Sequence, residues 1–282
     1  MPIKISIAKS AGFCFGVKRA LAIAYKTCRE SRNVYMLGDI VHNENVVKDI
    51  AIAGVKKISR LKNGKDKILL IRAHGASKNT FSKALDSSYK IVDATCPMVT
   101  DIHNIAVEQE KKGFGIVIIG DKKHEEVQGI AGQLRKKAII IDNQNNIPFN
   151  QIKRLNKACV ISQSTQNIEM VKRIVETLKR YIKNIHFFDT ICQTTRLKQR
   201  EIRKMPLIND VMIIIGSRDS ANTKRLYEIS KSLNPKSYWI ASAAEIKPGW
   251  FKNAACVGIT AGASTPDYST NQVVDYLKEL KN

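Results

Sequence analysis

The hydrophobic pattern of the chain repeats one unit, in which a β-branched apolar segment is followed by a short polar loop and an amphipathic helix. The unit is clearest in NVYMLGDIVHNENVVKDI at 33–50, GIVIIGDKKHEEVQGI at 115–130 and DVMIIIGSRDSANTKRLYEI at 210–229. Further copies lie at 67–85, 158–175 and 256–274, and around Cys14, Cys96 and Cys192. Strands that alternate with helices are typical of parallel sheets. The nine copies, three in each third of the chain, therefore predict an α/β protein.

The spacing of these units divides the chain into three similar parts. We predict three small parallel-sheet α/β domains over residues 15–97, 98–190 and 191–282, the last completed by residues 1–14. The repeat suggests a pseudo-threefold, trefoil arrangement around a central cavity. Because ligands of parallel sheets bind beyond the carboxyl ends of the strands, the polar residues of all the loops are expected to face one place.

Three cysteines occupy equivalent positions in the three parts. Cys14, Cys96 and Cys192 each follow an apolar strand and precede a helix. They lie too far apart in the sequence for a zinc finger, but the helix dipole stabilises a thiolate at a helix N-terminus and makes it a better metal ligand. The three are therefore candidates for one soft metal centre. The remaining cysteines lie within a helix or an apolar strand and are assigned no role: Cys28, Cys159 and Cys256.

Side chains suited to a phosphate group are concentrated in the same loops. His42, His74 and His124 lie in strand-to-helix loops that also carry serines and threonines, whereas the histidines at 103 and 186 are expected to be structural. Imidazoles, hydroxyls and free N–H groups at helix N-termini suit a phosphate or diphosphate. Glu126, two residues from His124, is the natural candidate for a proton donor. No GxxxxGK[ST] or GxGxxG occurs, so nucleotide binding in the usual ways is not expected.

The chain is strongly basic, with 47 lysines and arginines against 25 acidic residues and a net charge of +22. This balance raises an alternative from another class, a basic nucleic-acid-binding protein with a structural metal on the three cysteines. However, the lysines are spread along the whole chain, and no zinc finger, helix-turn-helix signature or RNP-like aromatic stretch accompanies them. Acidic small molecules or acidic proteins are therefore the expected partners.

The apolar segments and the cysteines also predict a location. The longest apolar runs, such as VMIII at 211–215, have the length of a strand, so no membrane span is expected. No apolar leader segment precedes the first motif, and six cysteines without close pairs do not resemble a secreted disulfide scaffold. These features predict a cytoplasmic protein.

Nine short motifs run along the chain from one end to the other. The first five are GFCFGVKRA (12–20), VHNENVV (41–47), AHGAS (73–77), VDATCPMV (92–99) and HEEVQG (124–129). The other four are SQST (162–165), ICQTT (191–195), GSRDSANTKRL (216–226) and TAGASTPD (260–267). Together they resemble, in family order, the LytB family of 4-hydroxy-3-methylbut-2-enyl diphosphate reductases, and nine motifs in register are highly specific.

The resemblance implies an iron–sulfur oxidoreductase of the methylerythritol phosphate route to isoprenoids. Such an enzyme removes the hydroxyl of (E)-4-hydroxy-3-methylbut-2-enyl diphosphate and forms isopentenyl and dimethylallyl diphosphate. A single [4Fe–4S] cluster would have Cys14, Cys96 and Cys192 as ligands, which leaves one iron open for substrate. Electrons would come from ferredoxin or flavodoxin, supplied by an NADPH reductase.

The resemblance also implies roles for individual loop residues. Glu126 would supply protons, and hydroxyls in the 162–165 loop would relay them. The residues implied to bind the substrate are His42, His74, His124, Ser164, Thr165, Ser220, Ala221, Asn222 and Ser264.

The chain departs from the usual family pattern at two of these positions and at two positions near Glu126. Ser164 stands where a threonine is expected to contact the substrate hydroxyl, and Ala221 stands where a second serine is common. Asp121 and Glu125 replace the more usual His and Pro and add negative charge near Glu126. These departures leave open a relative that keeps the cluster but acts on another allylic or aromatic diphosphate.

Overall fold

A computed structural model describes residues 3–280, and this part of the chain contains twelve strands and ten α-helices. The strands are β1 (Lys4–Ile7), β2 (Val34–Leu37), β3 (Val55–Ile58), β4 (Ile68–Ile71), β5 (Lys90–Asp93), β6 (Gly115–Ile119), β7 (Ile139–Ile141), β8 (Lys157–Ser162), β9 (Asn184–Phe187), β10 (Val211–Ile215), β11 (Ser237–Ile240) and β12 (Cys256–Ala261). The helices are α1 (Phe15–Glu30), α2 (Glu44–Ile52), α3 (Lys78–Asp86), α4 (Pro97–Lys111), α5 (Glu125–Ala131), α6 (Phe149–Ile152), α7 (Ile168–Lys179), α8 (Gln193–Ile202), α9 (Ala221–Leu233) and α10 (Asp267–Glu279). Three short 3-10 helices lie at Met205–Leu207, Ala243–Glu245 and Pro248–Phe251.

The strands form three four-stranded sheets in which neighbouring strands are parallel. The orders are β3-β2-β4-β5, β7-β6-β8-β9 and β11-β10-β12-β1. All three sheets thus have the same order, second-first-third-fourth, if the N-terminal strand β1 is counted as the fourth strand of its sheet. The predicted α/β class with three small parallel sheets is confirmed.

By its internal contacts the chain divides into two compact units. The first comprises residues up to 18, residues 41–48 and residues from 193 onward; the second comprises 19–40 and 49–192. The first unit holds the sheet of β1, β10, β11 and β12, and the second holds the other two sheets. The three domain boundaries proposed from the sequence stay a prediction.

Apolar side chains cover both faces of the central strands, as the parallel arrangement requires. In β6, Val117 and Ile119 join one buried cluster with Val171 and Ile174 of α7. The alternate residues of the same strand, including Ile118, join a second cluster. The same alternation divides β10 between two clusters in the first unit. Helices therefore pack on both faces of these sheets, and the loops at the strand ends remain for function.

The nine strands of the predicted units are all present, but each sheet has one more strand than the sequence pattern predicted. The additional strands are β3, β7 and β11, which stand at one edge of their sheets. They are only three or four residues long, and β3 (VKKI) carries two exposed lysines. The next element after β3 is another strand, and β11 is followed by a 3-10 helix. The repeating unit of an apolar strand followed by an amphipathic helix therefore did not predict these three strands.

Within residues 3–280 no helix is both long enough and apolar enough to cross a bilayer.

Candidate active site

The candidate residues follow three of the four strands in each sheet. The common strand order places a topological switch between the first and third strands, and ligands of open α/β sheets bind at such switches. The predicted acid and substrate-binding residues follow first and third strands, either in the loop or in the first turn of the next helix, and the loop after each fourth strand carries a cysteine. After first strands lie His42, His124, Glu126, Ser220, Ala221 and Asn222; after third strands lie His74, Ser164, Thr165 and Ser264; after fourth strands lie Cys14, Cys96 and Cys192.

The three predicted ligand cysteines are partly exposed and lie at the start of helices. Cys96 is the N-cap residue of α4, and its N–H donates to the carbonyl of Ala73 at 3.0 Å. Cys14 and Cys192 directly precede α1 and α8. The N–H of Val17, in the first turn of α1, donates to Cys14 Sγ at 3.4 Å. Each thiolate would therefore lie at the positive end of a helix dipole.

These three thiols suit an iron–sulfur cluster in a way that Cys159 does not. Clusters are held by accessible thiolates, and hydrogen bonds to the sulfur stabilise the charged form. The side chains of Cys14, Cys96 and Cys192 are partly exposed. Burial in β8 raises the pKa of Cys159 to about 12, so that thiol stays protonated and is a poor ligand. The three thiols at the helix starts therefore fit the iron–sulfur cluster that the family resemblance implies.

In the second unit, the predicted acid Glu126 is held by Ser164. Glu126 is 1% exposed, in the first turn of α5. Its Oε1 accepts from the Ser164 N–H at 2.6 Å, and its Oε2 accepts from the Ser164 hydroxyl at 2.9 Å. The Ser164 hydroxyl thus contacts the predicted acid, and its expected contact with the substrate hydroxyl stays a prediction. The carboxyl group is fixed in one orientation on two donors from a single residue.

The same loop is joined to the loop of Cys192. The Ser164 carbonyl accepts from the Cys192 N–H at 3.0 Å. Two residues earlier in each loop, the hydroxyl of Thr190 accepts from the Ser162 N–H and donates to the Ser162 carbonyl, both at 2.7 Å. Ser164 therefore contacts the acid through its N–H and hydroxyl, and a cysteine loop through its carbonyl.

Thr165 has a different neighbour from Ser164. Its hydroxyl accepts from Gln163 Nε2 at 3.0 Å, and Gln163 Oε1 accepts from the Asp121 N–H at 3.0 Å. Gln163 is completely buried and was not among the predicted site residues. It joins the loops after β6 and β8, at the switch point of this sheet.

His124 and His74 lie side by side in the second unit. Their ring centroids are 5.3 Å apart, and the rings meet edge to face at 85°. His124 is the N-cap of α5, and its Nδ1 accepts from the Glu126 N–H at 3.1 Å. Because Nδ1 is an acceptor, the proton of the neutral His124 ring lies on Nε2, where it can be donated to a ligand.

His103 belongs to the packing around this pair, as expected for a structural histidine. It lies on α4, and its ring is the nearest neighbour that a Cβ on Gly75 would meet. Burial lowers the pKa of His103 to about 4, although Asp93 opposes the shift. The ring is therefore neutral near pH 7 and contributes no charge to a phosphate site.

In the first unit, the predicted phosphate-binding residues cap α9 or join two loops. The Ser220 hydroxyl accepts from the Thr223 N–H at 3.2 Å, as an N-cap. Asn222 is 5% exposed, and its Nδ2 has no hydrogen-bond partner among the described residues. The Ser264 hydroxyl donates to the His42 carbonyl at 3.0 Å, which joins the loops of these two candidates. An orphaned buried amide suits a site whose acceptor is a ligand.

Lys198 is a positioning residue of the first unit that sequence reasoning missed. It is 1% exposed on α8, and its ammonium donates to the carbonyl of Ser10, to that of Gly12 at 3.1 Å and to that of Ala261 at 2.9 Å. The loop that leads to Cys14 is thereby fixed. The buried residues of α8 recur at 195, 198, 199 and 202, so a helical period would have placed Lys198 on the buried face.

These elements define a class, an α/β protein with imidazoles and a buried acid after the strands that flank the switch points of its sheets, and with partly exposed thiols after the fourth strands. A family model described as LytB protein matches residues 5–278. The chain therefore belongs to the LytB protein family.

Its relatives share one printed name, 4-hydroxy-3-methylbut-2-enyl diphosphate reductase. The protein of that name from Alkaliphilus oremlandii is 38% identical over 99% of this chain and 100% of its own length. The one from Aquifex aeolicus is also 38% identical, over 99% of this chain and 97% of its own.

Two solved structures are similar over nearly the whole chain. A structure of (E)-4-hydroxy-3-methyl-but-2-enyl diphosphate reductase, described as the terminal enzyme of the non-mevalonate pathway, is 38% identical with a TM-score of 0.72, over 98% of this chain and 99% of that one. The E-1-hydroxy-2-methyl-but-2-enyl-4-diphosphate reductase of Plasmodium falciparum is 27% identical with a TM-score of 0.89, over 98% of this chain and 88% of that one.

Proposed function

We propose that this chain is a 4-hydroxy-3-methylbut-2-enyl diphosphate reductase, an oxidoreductase of isoprenoid biosynthesis. The substrate, two electrons and two protons would give isopentenyl or dimethylallyl diphosphate and water. The observation that carries the proposal is the Glu126–Ser164–Cys192 linkage, which joins a buried acid to a cysteine loop through one residue. Near-full-length relatives with this name support it.

The three thiols at helix starts would hold the cofactor, a [4Fe–4S] cluster. Cys14, Cys96 and Cys192 are the ligands in this proposal, and their accessibility and helix-start positions support it. When bound, the cluster supplies the electrons of the reduction. The protein contributes binding, orientation and control of protons.

Glu126 has the role of proton donor to the leaving hydroxyl. Its carboxyl group is excluded from water and oriented by Ser164, so a proton can be delivered in one direction. The Ser164 hydroxyl is the adjacent member of the relay. Thr165, hydrogen-bonded to Gln163, extends the same loop.

The candidate donors to the diphosphate are imidazoles, hydroxyls and N–H groups that follow the first and third strands of the sheets. His124 offers Nε2–H because its Nδ1 is occupied by a backbone N–H. His42, Ser220, Asn222 and Ser264 are the candidates of the first unit. Ala221 can offer only its backbone N–H, at the N-terminus of α9, where a phosphate is stabilised by the helix dipole.

The electron donor in this proposal is ferredoxin or flavodoxin, reduced by an NADPH reductase. The support is the net charge of +22 on this chain, which favours an acidic electron-donor protein over a basic one. The cytoplasmic location predicted from the sequence accompanies this proposal. Nucleic-acid binding rests on the charge alone and gains no support from the family.

The proposed function is tested by turnover of anaerobically prepared protein. The purified chain, reconstituted with iron and sulfide, is given (E)-4-hydroxy-3-methylbut-2-enyl diphosphate and a reductant, and the five-carbon products are quantified. Formation of isopentenyl and dimethylallyl diphosphate supports the proposal. No turnover of this substrate, with turnover of another allylic or aromatic diphosphate, would assign the chain to a divergent relative.

A further inference from the structure

Gln163 is completely buried between the loops that follow β6 and β8, and the two ends of its amide have different partners. Its Oε1 accepts from the Asp121 N–H at 3.0 Å, and its Nε2 donates to the Thr165 hydroxyl at 3.0 Å. A backbone N–H can only donate, so the amide atom that faces Asp121 must be the oxygen. The amide therefore has one orientation, with its NH2 group toward Thr165.

The backbone on either side holds the Gln163 side chain in place. Gly120 directly follows β6, and a Cβ there would lie 2.9 Å from the Cβ of Gln163 and 2.7 Å from Cγ2 of Val127. Only glycine permits so close an approach. The Gln163 N–H also donates to the Ile119 carbonyl at 2.9 Å. The side chain is thus fixed at its root by the backbone and at its end by the amide contacts.

The amide decides how the Thr165 hydroxyl can be used. A hydroxyl group has one proton to donate and lone pairs that accept. Thr165 accepts from Gln163, and among residues 3–280 this is the one hydrogen bond of that hydroxyl. An NH2 group cannot accept, so the Thr165 proton is directed away from Gln163. Because Thr165 is partly exposed, this proton can be donated to a ligand.

The same hydrogen bonds reach the loop of another candidate for the diphosphate. The Asp121 carbonyl accepts from the His124 N–H at 2.8 Å. A continuous series of hydrogen bonds within the second unit therefore joins Thr165, Gln163, Asp121 and His124. Thr165 and His124 belong to two different loops, and Gln163 is the residue that fixes one loop to the other.

We infer that Gln163 is a positioning residue that directs the Thr165 hydroxyl proton toward the diphosphate. This inference rests on the proposed function for the identity of the ligand, and Gln163 itself makes no contact with it. A hydroxyl without a fixed partner rotates among several acceptors, and that freedom is lost when a ligand binds. The buried amide removes this cost before binding, which is preorganisation of the donor.

The test is a double-mutant cycle on the dissociation constant of inorganic diphosphate, measured by calorimetry on anaerobically reconstituted protein. Gln163→Glu keeps an acceptor for the Asp121 N–H but places a second carboxylate oxygen opposite Thr165, which would take the hydroxyl proton away from the ligand. Thr165→Val removes the hydroxyl with little change in volume. Gln151→Glu is the matched control, because Gln151 is exposed on α6 and gains the same charge.

Gln163→Glu and Thr165→Val should each raise the dissociation constant about tenfold, the loss expected for one hydrogen bond to a charged group. When Thr165→Val is already present, Gln163→Glu should add no more than about twofold, because no hydroxyl remains to be turned. Gln151→Glu and Thr165→Ser, which keeps the hydroxyl, should stay within a few-fold of the wild type. In turnover, KM should rise with kcat within about twofold, because the contact is made equally in the ground and transition states.

Three results would overturn the inference. They are a wild type that binds no inorganic diphosphate, a Thr165→Val variant that binds it as tightly as the wild type, and equal losses from Gln163→Glu with and without the Thr165 hydroxyl. The last is the result that a purely structural role, or the added charge alone, would give. If Gln163→Glu does not fold, Gln163→Met takes its place in the cycle, with a smaller expected loss that again vanishes in Thr165→Val.

The cycle is independent of the proposed function because binding is measured without a reductant. The expected coupling between Gln163 and Thr165 in a protein that does not reduce the proposed substrate would support the role of Gln163 and refute the function. Normal turnover without this coupling would refute the role of Gln163 and leave the function intact.

Discussion

At the scale of single residues, substitutions can separate the contribution of the predicted acid, Glu126, from that of Ser164, which is hydrogen-bonded to it. Glu126→Gln keeps an acceptor for the Ser164 N–H, so the loop should stay in place. It removes the proton donor, and kcat is expected to fall by roughly 10² to 10⁴. Ser164→Ala loses only the hydroxyl contact of 2.9 Å and should cost about tenfold or less. The measurement is single-turnover kinetics on variants with equal iron content.

Ser164→Thr is the control in this series, because it restores the side chain that the family usually has and keeps the hydroxyl. It should remain within a few-fold of the wild type. A Glu126→Gln variant that retains wild-type turnover would remove Glu126 from the mechanism.

A site residue could be predicted from the sequence where the signal for it lies in its own short stretch of chain. Glu126 and the cysteines lie in short motifs beside strand and helix signals, and the structure places them at helix starts. The Arg72–Glu125 ion pair joins the end of β4 to the start of α5. It depends on packing between two sheets, for which the sequence contains no local signal.

At the scale of elements, helix α8 should determine how well the Cys14 loop is held. Lys198→Met fills the same space but leaves the carbonyls of Ser10, Gly12 and Ala261 without their buried donor. Each unsatisfied group costs about 1–3 kcal/mol, so the melting temperature should fall by roughly 5 °C or more. Iron content after anaerobic reconstitution should also fall.

The matched variant is Lys224→Met, since Lys224 is 61% exposed and lies on α9. It should change neither the melting temperature nor the iron content. A Lys198→Met protein with normal stability and normal iron content would contradict the role assigned to this lysine.

The elements themselves were predicted where hydrophobic periodicity is strong and missed where strands are short. Buried strands such as β10 (VMIII) have a clear apolar run, and the helix-start motifs fix the next element. The additional edge strands are short, and none is followed directly by a long amphipathic helix. Strand β7 (III) is apolar but has only three residues, and β3 has only its first residue buried. Pairing with the neighbouring strand, rather than local sequence, decides that they are strands.

At the scale of the whole molecule, one sheet order occurs three times and each copy contributes one cysteine after its fourth strand. This repetition explains why three thiols so distant in the sequence have equivalent settings. It also explains why the N-terminal segment is needed, because β1 pairs with β12 and precedes Cys14. The three-domain division predicted from the sequence was inferred from the same repetition.

The net charge of +22 leads to a prediction about electron delivery. Reduction by an acidic ferredoxin or flavodoxin should slow steeply between low and physiological salt, because the attraction that steers the two proteins together is screened within about 10 Å. Stopped-flow reduction at several ionic strengths measures this. Reduced methyl viologen, a cation, is the control and should show no such loss. A donor rate that does not depend on salt would refute electrostatic steering.

The central claim is that Cys14, Cys96 and Cys192 together hold one cluster, and the most direct measurement is iron and sulfide content after anaerobic purification of single Cys→Ser variants. The account predicts about four iron and four sulfide per chain in the wild type and in Cys28→Ser, with large losses in each of the other three variants. A wild-type protein that stays free of iron after reconstitution, or ligand variants that keep full iron content, would contradict it.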